Sequence, residues 1–194
     1  MKKLLITGFD PFGGETINPS WESVKLLPNQ IGDFAITKLQ IPTVFKKGAQ
    51  KILDLATSLC PDVIICVGQA GGRKGVTPEV VAINLIDANI PDNLGYKPIN
   101  ERILDGENAY FSTLPVREMV ENIKIANIPS SLSYSAGAFV CNEVLYTLLH
   151  HYNGTNVKVG FIHVPFLPEQ AKDGVFSLPL EDIVTALKIA IETL

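Results

Sequence analysis

The chain has 194 residues, of which 46% are hydrophobic and 19% charged, with a formal net charge of −4. These proportions exclude a disordered chain, and the negative balance argues against a nucleic-acid binder, which needs a concentrated basic face. The sequence has no run of 18 apolar residues, and its apolar start ends at Thr7-Gly8, too early for a signal peptide. We therefore expect a cytoplasmic protein with neither a membrane nor a nucleic acid as partner.

Apolar runs typical of strands alternate along the chain with runs of helical spacing. Strands are expected at 3–9, 34–41, 62–67, 79–85 and 157–163, with a weaker candidate at 131–135. Helices are expected at 49–59, 116–123 and 138–152, and a last one begins near Pro179. The run 62–67 is apolar on both faces, as in a central parallel strand. This alternation predicts an α/β fold around a layered sheet.

Three long loops are predicted, at 10–20, 68–78 and 88–112. The first two follow strands, and ligands of open α/β sheets collect beyond the carboxyl ends of strands. The third is long enough to suggest a lid, a binding loop or an oligomer contact.

The glycine-rich segment 68–75 raises the alternative of a phosphate-binding module without catalytic activity. It lacks the Gly-Lys-Ser/Thr of a Walker A loop, because Arg73-Lys74 is followed by Gly75, and it lacks the G-x-G-x-x-G spacing. A flexible turn at a close backbone approach is the competing interpretation.

The chain has three cysteines, Cys60, Cys66 and Cys141, with no CxxC pair, so reduced thiols and no metal site are expected. Cys60 and Cys66 lie in apolar surroundings typical of a core. Cys141 falls at the start of the helix predicted at 138–152, where free N–H groups and the helix dipole favour a thiolate and offer an oxyanion hole. The alternative is that Cys141 is a small buried hydrophobic residue.

A histidine and a carboxylate accompany this cysteine at strand ends. His163 ends a predicted strand, as catalytic groups of α/β enzymes do, although a structural histidine would fit equally. Glu79 begins an apolar run, so it is either exposed or paired with a partner such as histidine. His150 and His151 are expected at a solvated helix end. Cysteine, histidine and acid together form the set needed for thiol acyl transfer. A serine nucleophile is disfavoured, because the segment 133–137 lacks the first glycine of a nucleophile elbow.

Four stretches match one known family in order and spacing: TGFDPFGG at 7–14 with Asn18-Pro19-Ser20, GGRKGVTPEVVAIN at 71–84, SAGAFVCN at 135–142 and HVP at 163–165. By these stretches the chain resembles pyroglutamyl peptidase I, also called pyrrolidone-carboxylate peptidase, a family of cysteine peptidases. The resemblance extends from residue 4 to about residue 170.

The resemblance implies a single catalytic domain over 1–194, folded as a three-layer α/β/α sandwich with a mostly parallel central sheet and assembled as a homotetramer. It implies a hydrolase that removes an N-terminal pyroglutamyl residue from peptides through a thioester, with no cofactor or metal. Cys141 is then the nucleophile, His163 the general base and Glu79 the residue that orients His163.

The same resemblance places the substrate ring among Phe9, Phe12 and Phe139, with polar contacts from Asn18 and the backbone of Gln69. An aromatic slot with amide contacts suits pyroglutamate, which is a flat, neutral lactam. The chain departs from the family pattern at Val80 and Asn89, where a basic residue is usual. A cysteine amidase acting on another small amide remains an alternative.

Overall fold

The structure, a computed structural model, describes residues 1–172 and 174–194. Along these residues the elements are β1 (Lys2–Phe9), α1 (Pro19–Leu26), β2 (Gln30–Ile31), β3 (Phe34–Ile41), α2 (Lys47–Leu59), β4 (Val63–Gln69), β5 (Thr77–Pro78), β6 (Val81–Ile83), β7 (Ala109–Phe111), α3 (Val116–Ile125), α4 (Val140–His151), β8 (Lys158–Val164) and α5 (Leu180–Glu192). Within the described ranges no helix has the length and apolarity to span a bilayer.

Six strands form the central sheet in the order β2-β3-β1-β4-β8-β5. The four inner strands are parallel, and the short strands β2 and β5 run antiparallel at the two edges. Apart from the exposed Lys2 and Lys3 at the start of β1, the inner strands β1 and β4 are buried and mainly apolar, which is the composition that a sheet covered on both faces requires. Strands β6 and β7 pair in a separate two-stranded sheet.

Helices cover both faces of the sheet, so the fold is the expected α/β/α sandwich. Alternate residues of the strands point to opposite faces, as the buried pairs Leu4/Leu5 and Ile64/Ile65 illustrate. One face packs against α1, α3 and α5, and the other packs against α2 and α4. Phe9, Phe139 and Cys141, which are discussed below, pack on the α2/α4 face.

The helix α1 differs from the sequence prediction, which placed a loop through residue 20 and no helix after it. Asn18 caps the helix by accepting a hydrogen bond from the Ser20 N–H, and Pro19 occupies its first turn.

The prediction of one strand at 79–85 is also wrong, because neighbouring residues of this part of the chain pair in two different sheets. Thr77–Pro78 pairs with β8, whereas Val81–Ile83 leaves the main sheet and pairs with β7. The segment 131–135 forms no strand, and Ser133 makes an isolated bridge to Glu79.

The long segment predicted as a loop at 88–112 ends in the strand β7, and ahead of this strand it is ordered by buried polar side chains rather than by regular structure. Asp92 accepts the N–H groups of Leu94, Tyr96 and Phe45, and so ties the segment to the loop after β3. Asn84 accepts the N–H groups of 103 and 104 and donates to the carbonyl oxygens of 104 and 107. These bonds hold the segment across the α2/α4 face.

Two predictions about individual side chains need correction. Cys60 was expected in the core but is exposed, because it caps α2 with a left-handed φ of 49° and leaves the buried face of the helix. Cys66 is buried as predicted. His150 is half-buried rather than solvated, since its Nδ1 lies 3.0 Å from the Tyr110 hydroxyl, whereas His151 is exposed.

Candidate active site

A buried carboxylate–histidine pair lies where β5 meets β8. The pairing of Thr77 with His163 brings the residue after β5, Glu79, beside β8, and the Glu79 N–H donates to the Phe161 carbonyl over 2.9 Å. Glu79 Oε1 and His163 Nδ1 are 2.6 Å apart, and the two residues are 0% and 3% exposed. The Nδ1–H therefore donates to the carboxylate, which fixes the ring and leaves Nε2 as the reactive nitrogen.

Cys141 reaches the same place from α4. It is the second residue of this helix, and the N-cap residue, Phe139, makes no side-chain capping bond, so the first N–H groups remain available to an anion. A Cβ built on Gly68 would lie 3.0 Å from Cys141 Sγ. Gly68 is the register partner of His163 on the neighbouring strand, so the sulfur packs over the strand pair that carries His163.

The electrostatics of the three groups favour a neutral cysteine and a neutral histidine. Burial raises the pKa of the Cys141 thiol, and the charge of Glu79 adds to that effect. Burial lowers the pKa of His163 below its ordinary value despite the bond to Glu79. Burial would raise the pKa of the Glu79 carboxyl, but the hydrogen bond and charge of His163, together with Arg73, hold it below its ordinary value. Glu79 is therefore the ionised member.

Aromatic rings line the space beside the helix start. The Phe139 ring lies 6.2 Å from Phe12 and 5.2 Å from Phe45, the latter edge-on at 85°. Phe9 is more deeply placed, with 2% of its surface exposed and its ring 6.2 Å from Phe161.

The two polar residues predicted for the pocket lie at the ends of β4 and of the loop after β1. Asn18 Nδ2 donates to the Asp10 carbonyl, while its Oδ1 accepts from Ser20. Gln69 is the last residue of β4, and its Oε1 accepts a bond from Gln170.

The glycines of the segment 68–75 serve close packing. A Cβ on Gly71 would lie 2.2 Å from the Phe166 ring, and one on Gly75 would lie 2.3 Å from the Pro129 carbonyl oxygen. With Gly68 against Cys141, three of these glycines are explained by neighbouring protein atoms, which favours the close-approach interpretation over a phosphate cradle.

The model of the family described as pyroglutamyl peptidase matches residues 2–194. The chain belongs to the pyroglutamyl peptidase family. As a member it is a hydrolase, a peptidase of the type that this family comprises.

Individual relatives are similar to this chain over nearly its whole length. The pyrrolidone-carboxylate peptidase of Clostridium botulinum is 52% identical, with 98% of this chain and 92% of that protein covered. The enzyme of the same name from Thermosipho africanus is also 52% identical, with 99% of this chain and 96% of that protein covered. The crystal structure of pyroglutamyl peptidase I from Bacillus amyloliquefaciens superposes with a TM-score of 0.96 at 49% identity, covering 100% of this chain and 96% of that one.

The fold thus brings together the predicted residues Glu79, Cys141 and His163, and it places Phe12 beside Phe139. Sequence reasoning missed Phe45, because it follows β3 in a segment without any motif. It also missed Asn142, whose side chain bonds the backbone of Ile83 and anchors α4 to β6. The available signal for Asn142 was its position as a polar residue directly after Cys141, in the first turn of the helix.

Proposed function

We propose that the chain removes an N-terminal pyroglutamyl residue from peptides, with Cys141 as nucleophile, His163 as general base and Glu79 as the residue that orients His163. The observation that carries this proposal is the buried Glu79–His163 bond of 2.6 Å beside the strand position over which Cys141 Sγ packs. Membership of the pyroglutamyl peptidase family supports the substrate.

The proposed reaction starts from the neutral pair. His163 Nε2 takes the thiol proton as Cys141 Sγ attacks the pyroglutamyl carbonyl, and the N–H groups at the start of α4 bind the developing oxyanion. The tetrahedral intermediate expels the amine of the next residue, which receives its proton from His163, and a thioester remains. Water then attacks the thioester as His163 takes a proton from it, and the thiol leaves with that proton to regenerate the enzyme. Glu79 stays ionised and stabilises the imidazolium at each step.

The pocket proposed for the ring consists of Phe9, Phe12 and Phe139, with Asn18 and the backbone of Gln69 as polar contacts. The pyroglutamyl ring carries no charge, so aromatic faces suit it. One N–H of the Asn18 amide is used by the Asp10 carbonyl, and the second is the donor proposed for the ring carbonyl.

Three further features belong to the same proposal. The domain is one catalytic unit over 1–194, it works in the cytoplasm, where its thiols stay reduced, and it assembles as a homotetramer.

Cysteine substitution with a pyroglutamyl fluorogenic amide as substrate tests the nucleophile. Cys141→Ser should lose nearly all activity and keep its fold, because a serine hydroxyl is a far poorer nucleophile in this setting. Cys60→Ser is the matched control and should keep activity, since Cys60 is exposed at the far end of α2. Equal losses in both variants would refute the assignment, and so would iodoacetamide treatment that leaves activity intact.

Selectivity between pyroglutamyl and prolyl amides tests the pocket. The two rings are similar in size, so shape alone discriminates only about 10–200-fold. Proline lacks the ring carbonyl and carries a charged amine, which leaves the Asn18 donor unpaired and places a cation among phenyl rings. We expect kcat/KM for the pyroglutamyl amide to be higher by at least about a thousandfold. A ratio near one would show that these residues do not form the substrate pocket.

A further inference from the structure

The Arg73 side chain bridges two parts of the candidate site that are distant in sequence. Its Nη1 donates to Glu79 Oε1 over 2.6 Å and to Thr77 Oγ1 over 2.7 Å. Its Nη2 donates to the Ser135 carbonyl over 2.9 Å. Ser135 begins the short segment that leads into α4 and Cys141, so one guanidinium contacts both the carboxylate side and the nucleophile side of the site.

We propose that Arg73 is a positioning residue for the peptidase reaction: it fixes the Glu79 carboxylate on His163 and ties the segment before Cys141 to that carboxylate. This inference rests on the proposed function of Cys141, His163 and Glu79. In this proposal Arg73 acts through Glu79 and the segment at Ser135.

The need for a cation follows from the burial of Glu79. Glu79 is fully buried, and its Oε1 receives both the His163 and the Arg73 donors. A buried carboxylate is costly unless it is paired and hydrogen-bonded, and an imidazole that is neutral at rest cannot supply the charge. Arg73 supplies it permanently, because a guanidinium is not deprotonated in proteins.

The need for arginine rather than lysine follows from the three acceptors. Thr77, Glu79 and Ser135 are reached by two nitrogens of one planar group, which holds the acceptors at fixed relative positions. A lysine ammonium is a point charge on a flexible stem and lacks this fork. Arg73→Lys should therefore keep the positive charge but lose the fixed arrangement of the three acceptors.

The charge of Arg73 also affects titration. It lowers the pKa of His163 and of Glu79, and it opposes the effect of Glu79 on the Cys141 thiol. The ionisable groups that act on these residues are one another, Arg73 and the buried thiol of Cys66. Removing Arg73 raises the pKa of His163, so the acidic limb of the kcat/KM profile should move to higher pH.

The site of Arg73 is open to small cations. Its side chain is 26% exposed and lines a surface cavity of about 440 Å³ together with Lys74, Tyr134 and Ser135. Free guanidinium can therefore occupy the space that a truncated Arg73 leaves.

The test compares Arg73→Ala, Arg73→Lys and the control Lys74→Ala with a pyroglutamyl amide as substrate. We expect Arg73→Ala to lose about 100-fold in kcat with KM nearly unchanged, the size of effect that misplaced catalytic groups produce. Arg73→Lys should recover part of that loss, and Lys74→Ala should match the wild type. Millimolar guanidinium chloride, but not sodium chloride at equal ionic strength, should raise the activity of Arg73→Ala at least about tenfold.

Three results would each overturn the proposal. Arg73→Ala could have the wild-type kcat, it could be impaired only through a higher KM, or it could be folded and gain no activity from guanidinium. If Arg73→Ala fails to fold, the same measurements apply to Arg73→Gln. The pKa of the His163 ring, followed by NMR, should rise in the folded Arg73 variant, and an unchanged value overturns the proposal. This readout needs no activity, so it separates failure of this proposal from failure of the proposed function, in which the wild type would not cleave the amide.

Discussion

The protonation of Cys141 at rest is set by two opposing effects. The helix start alone predicts a stabilised thiolate, as the sequence suggested. Burial and the nearby carboxylate of Glu79 act in the other direction and raise the pKa of the thiol, while Arg73 opposes them. With the pKa of His163 lowered by burial, the pair is neutral before substrate arrives. In the proposed reaction, charge then develops only during attack, when the N–H groups of α4 have an anion to bind.

Glu143 is a second buried carboxyl in the first turn of α4, and it has no place in the proposed reaction. It is almost fully buried, and its Oε1 accepts a bond from Thr147 while its Oε2 has no partner among the described residues. Burial raises its pKa to about 7, against the effects of Lys46 and Thr147. The folded protein therefore binds this proton more tightly than the unfolded chain does.

Glu143→Gln should stabilise the protein in a pH-dependent way. A raised carboxyl pKa costs no stability below about pH 4.5, and the cost grows as the pH rises through about 7. Since a neutral amide avoids this cost, the variant should gain little at pH 4.5 and about 3 kcal/mol at pH 8, from about 1.4 kcal/mol for each pH unit that the pKa is raised. Urea unfolding at the two pH values measures the difference.

Glu118→Gln is the matched control for this prediction. Glu118 also lies in the first turn of a helix, α3, but it is exposed, so the free energy of unfolding of Glu118→Gln should differ little from that of the wild type at either pH. An equal gain for Glu143→Gln at pH 4.5 and pH 8 would assign the effect to packing and contradict the ionisation argument.

At the scale of elements, the register of three strands assembles the site. Gly68 on β4 faces His163 on β8, and His163 faces Thr77 on β5. Helix α4 then begins above β4 and presents Cys141 at the position where Gly68 has no side chain. The carboxyl ends of the parallel strands β4 and β8 meet here, which is where open α/β sheets place their ligands.

Gly68→Ala should reduce activity through displacement of the sulfur. The added Cβ would lie 2.6 Å from the Phe161 ring and 3.0 Å from Cys141 Sγ, so both must move. We expect kcat/KM to fall about 10–100-fold, because a shift of about 1 Å at a reacting group has effects of this size. Overpacking should also cost about 1–3 kcal/mol of stability, measured by urea unfolding.

Gly160→Ala separates these two effects. Its Cβ would lie 2.3 Å from the Leu114 side chain, on the same sheet but in the opposite core. It should lose comparable stability and keep its activity at a temperature where both variants are folded. Full activity in Gly68→Ala would mean that Cys141 Sγ does not lie over Gly68.

The sequence predicted best the elements whose pattern is apolar. The strand at 34–41 was correct to the residue, and those at 3–9 and 157–163 were correct to within one residue. Helix α1 was missed because its buried face carries Ser20 and Ser23 instead of large apolar residues. Small residues are required there, since a Cβ on Gly8 would already lie 2.6 Å from the Trp21 Cα.

Tertiary contacts decided the elements that the sequence predicted wrongly. The apolar run at 79–85 predicts one strand. In the structure the Asn142 side chain forms hydrogen bonds with the Ile83 backbone, which lies outside the main sheet. Glu79, Cys141 and His163 were predicted to share a site from their residue types and their positions at element ends. The role proposed here for Arg73 was not predicted, because its acceptors lie 4, 6 and 62 residues away in sequence.

At the scale of the whole molecule, exposed apolar side chains are concentrated in one stretch of the chain. Of the twelve large exposed hydrophobic residues in the described ranges, seven fall within 83–111: Ile83, Ile90, Leu94, Tyr96, Ile99, Leu104 and Phe111. Contiguous patches of such side chains mark interaction surfaces. The stretch overlaps the segment 88–112, for which the sequence left open a lid, a binding loop or an oligomer contact. A second copy of this chain is the partner that fits the proposed homotetramer.

Phe111→Ser should therefore weaken the assembly. Phe111 is 72% exposed on β7, and aromatic residues at the centre of an interface contribute about 2 kcal/mol or more each, so dissociation should become at least about 30-fold easier. Light scattering across a dilution series should show four copies for the wild type and fewer for the variant at the same concentration. Ile125→Ser is the control, because Ile125 is 79% exposed but lies at the end of α3, outside the stretch. The mass measured for this variant should remain that of four copies. A wild type that is monomeric at all concentrations, or a Phe111→Ser variant that stays tetrameric wherever the wild type does, would show that this surface does not hold the copies together.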